Sequence, residues 1–306
     1  MPAATAKPRF NTNFPAETGR PVEVAPGVAR VTAPNSGPYT FAGTNSFLIG
    51  TQRLFVLDPG PDDARHLSAL QAAIGGRQVE AILLTHTHKD HSSLVPRLQS
   101  MTGAPVWFGG RHRLSRAPRA LEMNGVARES DWALVPDRVL KDGETIAVDG
   151  LALTAIATPG HCANHLAFGI AGTPFLFTGD HIMGWNSTLV SVPDGSMADY
   201  LASLRKVIAL PYAHYLPAHG GPIENGPVYA RALLAHRESR NEQVKAAINA
   251  GARDIGALLK AIYPDLSPTL HLAARMTLQA HVEYLSDREV IVARRGVFGL
   301  RLGPRS

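Results

Sequence analysis

The stretch Leu83-Leu84-Thr85-His86-Thr87-His88-Lys89-Asp90-His91 constrains this chain most, because an apolar run ends in three histidines and a carboxylate within six positions. Val79 to Thr85 is short, apolar and partly β-branched, which predicts a buried strand, and Ser92 to Ser100 has helical spacing. Side chains two apart on an extended segment point the same way, so His86 and His88 can aim at one point. Asp90 and His91 come where the chain turns towards the helix and can face a second point nearby. Each histidine alone, at a strand end, is more often a surface or hydrogen-bonded side chain than a ligand. Four such groups behind an apolar strand must be paired or bound to metal, because burying imidazole and carboxylate unpaired is costly. Zinc, iron and manganese all accept these ligands.

Three later strand endings repeat the arrangement. Leu151 to Ala157 alternates as a strand and stops at Thr158-Pro159-Gly160-His161, Phe175 to Thr178 stops at Gly179-Asp180, and His214 to Leu216 leads to Pro217-Ala218-His219-Gly220. In each, a polar side chain follows an apolar strand beside glycine or proline, where the backbone can bend and bring it to the sheet's edge. That edge is the usual place for a site in a layered α/β fold. Singly, each is also an ordinary turn residue; with the first four they make seven donors. Leu54 to Leu57 likewise runs into Asp58-Pro59-Gly60, where Asp58 also reads as a turn cap.

The pattern His-x-His-x-Asp-His at 86–91 resembles the signature of the metallo-β-lactamase superfamily. The resemblance implies an α/β fold, a four-layer αβ/βα sandwich. It assigns His86, His88 and His161 to a first metal position, Asp90, His91 and His219 to a second, and Asp180 to a bridge between them. It implies two divalent ions as cofactors, zinc by preference, with iron or manganese suited to the same donors. Asp58 would then stand behind the ligands. Two such ions roughly 3.5–4 Å apart hold a shared hydroxide, lowering the pKa of water from about 15.7 towards about 7. No serine or cysteine nucleophile is needed. Asp90 has a second expected role, as a catalytic residue that holds this oxygen in line, and His165 is a candidate proton donor to the leaving group. His181 reads as a neighbour turned away from the metals, and Cys162 as a small buried residue.

Composition narrows the class further. The 306 residues suffice for a large core and a second small domain. The one cysteine excludes an intrachain disulfide and fits a reducing compartment. No secretory leader pattern opens the chain and no apolar stretch approaches bilayer length, so the expectation is a soluble, cytoplasmic protein without a membrane partner. A net charge of +5 permits an anionic substrate without demanding one.

Residues 1–20 are expected to form a loose arm, 21–227 the catalytic domain and 228–306 a winged-helix-like domain. The catalytic domain should open as a meander: Val22 to Val24, Val28 to Thr32, Asn45 to Gly50 and Arg53 to Leu57. A helix should follow from Asp62 to Ile74. Val106 to Phe108 reads as a strand and Arg111 to Glu129 as an irregular helical segment. Within it, Arg111, His112, Arg113, Arg116 and Arg119 either greet a phosphate or carboxylate or form a solvated face. The loop Met183 to Met197, with Trp185 and Asn186, should shape the pocket. Beyond it, Tyr229 to Ala250, Arg253 to Ile262 and Thr269 to Leu285 read as helices, and Glu289 to Ala293 and Phe298 to Leu302 as strands. That order resembles a winged helix. With the phrase His236-Arg237-Glu238-Ser239-Arg240-Asn241-Glu242-Gln243, it resembles the branch that includes beta-lactamase-like protein 2.

The leading expectation is a binuclear hydrolase of a small thioester, ester or lactone, similar to glyoxalase II. The alternative is a single-strand-specific endoribonuclease, in which single-stranded RNA is the partner and Arg294, Arg295 and Arg301 touch phosphates. Otherwise the tail covers the pocket or forms a homodimer. The intact donor set argues against a non-enzymatic regulator. Asp180 argues against a true β-lactamase, a type that usually lacks the bridging aspartate. Asp90, His91 and His219 argue against a one-iron persulfide dioxygenase.

Overall fold

Strand β4 (Arg53–Leu57) explains the layering. Leu54 and Val56 belong to one apolar layer and Phe55 and Leu57 to another, so period-two alternation serves two buried faces and the strand is apolar after Arg53. The computed structural model describes residues 8–119, 122, 124–296 and 299–305. With β1 (Pro21–Ala25), β2 (Val28–Thr32) and β3 (Asn45–Ile49), β4 forms the expected antiparallel meander. Helix α1 (Ala64–Ile74) then crosses over so that β5 (Gln78–Leu83) lies parallel to β4, Leu57 opposite Leu83. Its N-terminus is capped by the Asp63 carboxylate, which accepts from the N–H groups of Arg65 and His66. After α2 (Lys89–Ser92) and α3 (Val95–Thr102), strands β6 (Val106–Phe108) and β7 (Arg138–Val139) complete a sheet of seven.

The second sheet contains β8 (Thr145–Val148), β9 (Leu151–Ala157), β10 (Leu166–Ile170), β11 (Phe175–Gly179) and β12 (His214–Pro217), in the order β12-β11-β10-β9-β8. Only β11 and β12 pair in parallel, joined through α4 (Met197–Ile208). Between the sheets Phe47, Phe55 and Leu57 meet Leu153, Phe168, Phe177 and Leu216, and the rings of Phe47 and Phe177 pack edge-on at 4.9 Å. Leu70, Ile74 and Leu98 of α1 and α3 cover the far face of the first sheet. Tyr200, Leu201 and Leu204 of α4, with Leu233 of α5 (Gly226–Asn249), cover that of the second. The arrangement is helix, sheet, sheet, helix, as expected.

Helix α5 continues past the sheets into a further apolar cluster. There Val244 and Ile248 pack with Leu258 and Leu259 of α6 (Ile255–Ile262), Leu278, Val282 and Leu285 of α7 (His271–Asp287), and a hairpin of β13 (Ile291–Gly296) and β14 (Gly299–Pro304). Three helices and a hairpin is the order expected, with the first strand starting at Ile291 rather than Glu289; Phe298 lies outside the described residues. Among the described residues no helix is long and apolar enough to cross a membrane.

Two expectations are corrected. The arm is docked over part of its length: Phe10 packs on the apolar layer beside α4, Asn11 N–H donates to the Gly184 carbonyl at 3.0 Å, and the Phe14 ring lies under the Arg30 guanidinium at 4.5 Å. The segment from Arg111 to Glu129 contains no helix among its described residues. Arg113, Arg116 and Arg119 are held by this chain's own acceptors, while Arg111 is exposed. Arg116 donates to Glu122 at 2.7 Å and to Glu283 of α7 at 2.7 Å, Arg119 lies 3.1 Å from Glu283, and Arg113 donates to the Gly109 and Ala163 carbonyls. The cluster clamps the loop to the C-terminal helices.

Replacing Asp63 by Ala removes the α1 cap and is expected to lower stability by about 1 kcal/mol, read from urea unfolding. Hydrogen bonds from Arg116 pull the Glu122 carboxylate down to about 2. Its stabilisation is therefore present above an unfolded value of about 4.3 and lost as the pH falls towards 2. Acid unfolding of Glu122→Gln should consequently be less steep over that interval than that of the wild type.

Candidate metal centre

β4, β5, β9, β11 and β12 each run into a polar residue of the site: Asp58, the 86–91 stretch, His161, Asp180 and His219. Their ligand atoms converge in groups whose members lie within 4.8 Å of one another: His86, His88 and His161; His86, His91 and Asp180; Asp90, His91 and His219. All seven predicted donors are therefore brought together. His88 Nδ1 lies 3.1 Å from His86 Nε2 and 2.8 Å from His161 Nε2. His219 Nε2 lies 3.2 Å from Asp90 and 3.3 Å from Asp180, and His91 Nε2 3.5 and 3.6 Å from the same two carboxylates. Asp180 turns Oδ1 to this second group and Oδ2 to His161, 3.7 Å away.

The outer nitrogen of every ring is anchored. His86 Nδ1 faces Thr85 Oγ1 at 3.0 Å, and that hydroxyl donates to Asp58 at 2.7 Å. His88 Nε2 donates to Asp194 at 3.1 Å, His91 Nδ1 to Asp58 at 3.1 Å, His161 Nδ1 to the Leu189 carbonyl at 2.7 Å, and His219 Nδ1 to the Gly43 carbonyl at 3.3 Å. With acceptors outside, the hydrogen-bond network assigns the N–H outward in each neutral ring and the lone pair inward.

Electrostatics divide the cluster. Burial, then the neighbouring rings of His91 and His88, push His86 well below the usual histidine range; burial and His88 push His161 down to about 4. Burial would lower His219 too, but the Asp180 and Asp90 carboxylates outweigh it and push it up to about 10. Burial would raise Asp180, yet His219 and His91 hold it well below the usual carboxylate range. One half thus presents neutral lone pairs to one another, and the other half demands positive charge. His91 Nε2, Asp180 Oδ1 and His219 Nε2 are also buried without a hydrogen-bond partner. Divalent cations fit both halves: nitrogen and carboxylate donors, fixed tautomers and outer partners are what such sites consist of.

His165 needs correction. Its Nδ1 bonds Thr158 Oγ1 at 2.8 Å and its Nε2 accepts the Asp180 N–H at 3.1 Å, while burial and then His181 push its pKa well below the usual range. Both nitrogens are engaged and the ring is neutral, so it supports the Asp180 backbone and is not placed to give up a proton. The contact explains Gly179, at φ +52°: a Cβ there would lie 2.6 Å from His165 Nε2 and 2.8 Å from Thr85 Cβ. The His181 ring packs 5.0 Å from that of Tyr200, and Cys162 is buried with its thiol on Asn164.

Sequence reasoning missed several supports. Asp194 is fully buried, accepting from His88 and, at 2.8 Å, from His112. Asn45 donates to the Pro217 and Gly220 carbonyls at 3.0 and 2.9 Å, holding the turn that carries His219. Trp185 stacks on Phe41 at 5.0 Å beside that turn. A carboxylate between Pro193 and Gly195, in a loop already singled out, was the available hint for Asp194.

Residues 39–219, which include every one of these donors, match the family model of the metallo-beta-lactamase superfamily. The chain belongs to this superfamily. It is accordingly a metal-dependent hydrolase. Similar relatives include an atrochrysone carboxyl ACP thioesterase, AgnL7 of Paecilomyces divaricatus, 29% identical over 81% of this chain and 73% of the relative. The beta-lactamase-like protein 2 homolog of Caenorhabditis elegans is 29% identical over 73% and 72%. A beta-lactamase domain protein of Burkholderia ambifaria has the same fold, with a TM-score of 0.79 at 22% identity over 95% of both chains.

Asp194→Ala frees the ring of His88. It is expected to weaken divalent-cation binding by about 10- to 100-fold, measured by equilibrium dialysis, with little change in the circular dichroism spectrum.

Proposed function

We propose that the protein hydrolyses a small thioester, with esters and lactones as related substrates, using two divalent cations. The observation that carries the reading is that buried Asp180 faces both donor groups, with Oδ2 3.7 Å from His161 and Oδ1 3.3 Å from His219. His86, His88 and His161 would hold the first cation, Asp90, His91 and His219 the second, and Asp180 both. Zinc is the first choice, and iron or manganese suit the same donors. Bound there, the cations would supply a water acidified towards neutrality and polarise the carbonyl under attack.

The chain's own residues do the rest. Asp90, whose side chain is 30% exposed, is the open carboxylate of the set and orients the attacking water. Asp58, Asp194, Leu189 and Gly43 keep the imidazoles aimed inward. The carbonyl carbon gains a C–O bond as the C–S bond breaks, and the thiol leaves with a proton. Thioesterase-named relatives that match 81% and 74% of the chain support the thioester choice. Residues 21–227 form the catalytic part on this reading, with 228–306 a winged-helix-like cap that also suits a homodimer contact, in a cytoplasmic protein.

A single-stranded RNA substrate is the second reading. Arg294 and Arg301 are exposed and directly opposite across the C-terminal hairpin, with Arg295 beside them.

Asp90→Ala should lower turnover of acyl-thioesters by about two to three orders of magnitude, comparable with losing one transition-state contact. Replacing Arg294, Arg295 and Arg301 by Ala should leave it unchanged, and RNA cleavage lost in the triple variant would reverse the choice of substrate. Because His219 is raised to about 10 in the metal-free site, cation binding at neutral pH must expel a proton. Zinc affinity should rise between about pH 6.5 and 10, and calorimetry in buffers of different ionisation enthalpy should register the release.

A further inference from the structure

The loop from Thr188 to Asp194 holds much of the first cation position from behind. Thr188 Oγ1 bonds the carbonyl of Asp180 at 2.7 Å and that of His181 at 3.0 Å; one hydroxyl proton serves these two acceptors. The Leu189 carbonyl receives His161 Nδ1, and Asp194 receives His88 Nε2. Three of the first position's donors thus depend on one irregular segment with no sheet partner of its own.

What fixes that segment comes from α5. Arg237 is 2% exposed, and its guanidinium donates through Nη2 to the Thr188 carbonyl and lies 5.2 Å from the Tyr200 ring. Among the described residues no carboxylate lies within ion-pair distance of it, and its Nε has no hydrogen-bond partner. One turn on, buried Asn241 bonds His281 Nδ1 of α7 at 2.7 Å, so the polar face of α5 here is closed on both sides. A buried cation with so few partners is a poor stabiliser, and an apolar side chain would fill the space at less cost. What an apolar side chain cannot do is donate to the carbonyl of Thr188.

We infer that Arg237 is a positioning residue, acting through Thr188 to hold the 188–194 loop and thereby the donors His161, Asp180 and His88 of the first cation position. The inference rests on the two-cation reading. The second position is anchored elsewhere, through Asp58 behind His91 and Gly43 behind His219. Arg237 therefore bears mainly on the first cation and reaches the second only through the shared Asp180. It also gives the His236 to Gln243 phrase a role that the catalytic residues leave unassigned.

The test is a stepwise Zn2+ titration against a chromogenic chelator, with Co2+ absorption as a second reading of ligand geometry. Arg237→Met should weaken one of two equivalents by about 10- to 100-fold and leave the other within about threefold. Arg237→Lys, which can still donate to the same carbonyl, should recover most of the loss. Arg240→Met, three residues along α5, removes the guanidinium 4.2 Å from the Tyr263 ring and should change neither affinity. If Arg237→Met does not fold, Thr188→Val, which keeps the carbonyl that Arg237 binds, tests the next step, the hydroxyl bonds to the Asp180 and His181 carbonyls, and a loss greater for the first equivalent is expected. Unchanged affinities in Arg237→Met or Thr188→Val, equal loss of both equivalents, or the same loss in Arg240→Met would overturn the inference while the two-cation site stands. Wild-type protein that binds no Zn2+ would overturn the site itself and this inference with it.

Discussion

Imidazole nitrogens that face one another without a proton between them repel, and His86, His88 and His161 direct three such nitrogens into one small space. The rest of the molecule is consistent with a scaffold built to hold that arrangement. Relaxing it would need only a ring flip, which would place an N–H where a lone pair stands. Each flip is blocked by an acceptor on the outer edge of the ring: Thr85, Asp194 and Leu189. The repulsion is thus held in place by hydrogen bonds a few ångströms further out, and two positive charges are what turn it into attraction.

The two-sheet architecture supplies those outer acceptors cheaply. Strand ends bring the donors together, while the segments that follow the strands pass behind them, so a carbonyl or carboxylate from one turn is available to a ring from another. Asp58 is the clearest case. At the end of β4, with φ +50°, it receives Thr85 N–H and Oγ–H and His91 Nδ1, and so links the β4 turn to both metal positions. The left-handed backbone at a non-glycine residue is offset by these three contacts.

Most of this was legible in the sequence because donors and strands share one signal. An apolar run that stops at a histidine or aspartate reports both the strand and the site, and β2, β4, β6 and β9 lie where their alternation puts them. The outer acceptors were illegible for an equally physical reason. Leu189 and Gly43 act through backbone carbonyls, which carry no residue-specific mark, and Asp194 is separated from His88 by 106 positions. The arginine-rich segment misled because periodic arginines suggest a helix face, whereas the partners that straighten it, Glu122 and Glu283, include one 167 residues away. His165 misled through proximity in sequence: strand β10 turns it behind Asp180, towards Thr158.

Helix α5 contributes to two apolar clusters, Leu233 to the layer over the second sheet and Val244 and Ile248 to the C-terminal cluster, with Arg237 midway between. A continuous rod crossing both regions makes them mechanically one body. A graft that replaces the tail from Gly226 onward must also reproduce the side chains, Ala230 and Leu233 among them, that seal the sheet beneath it.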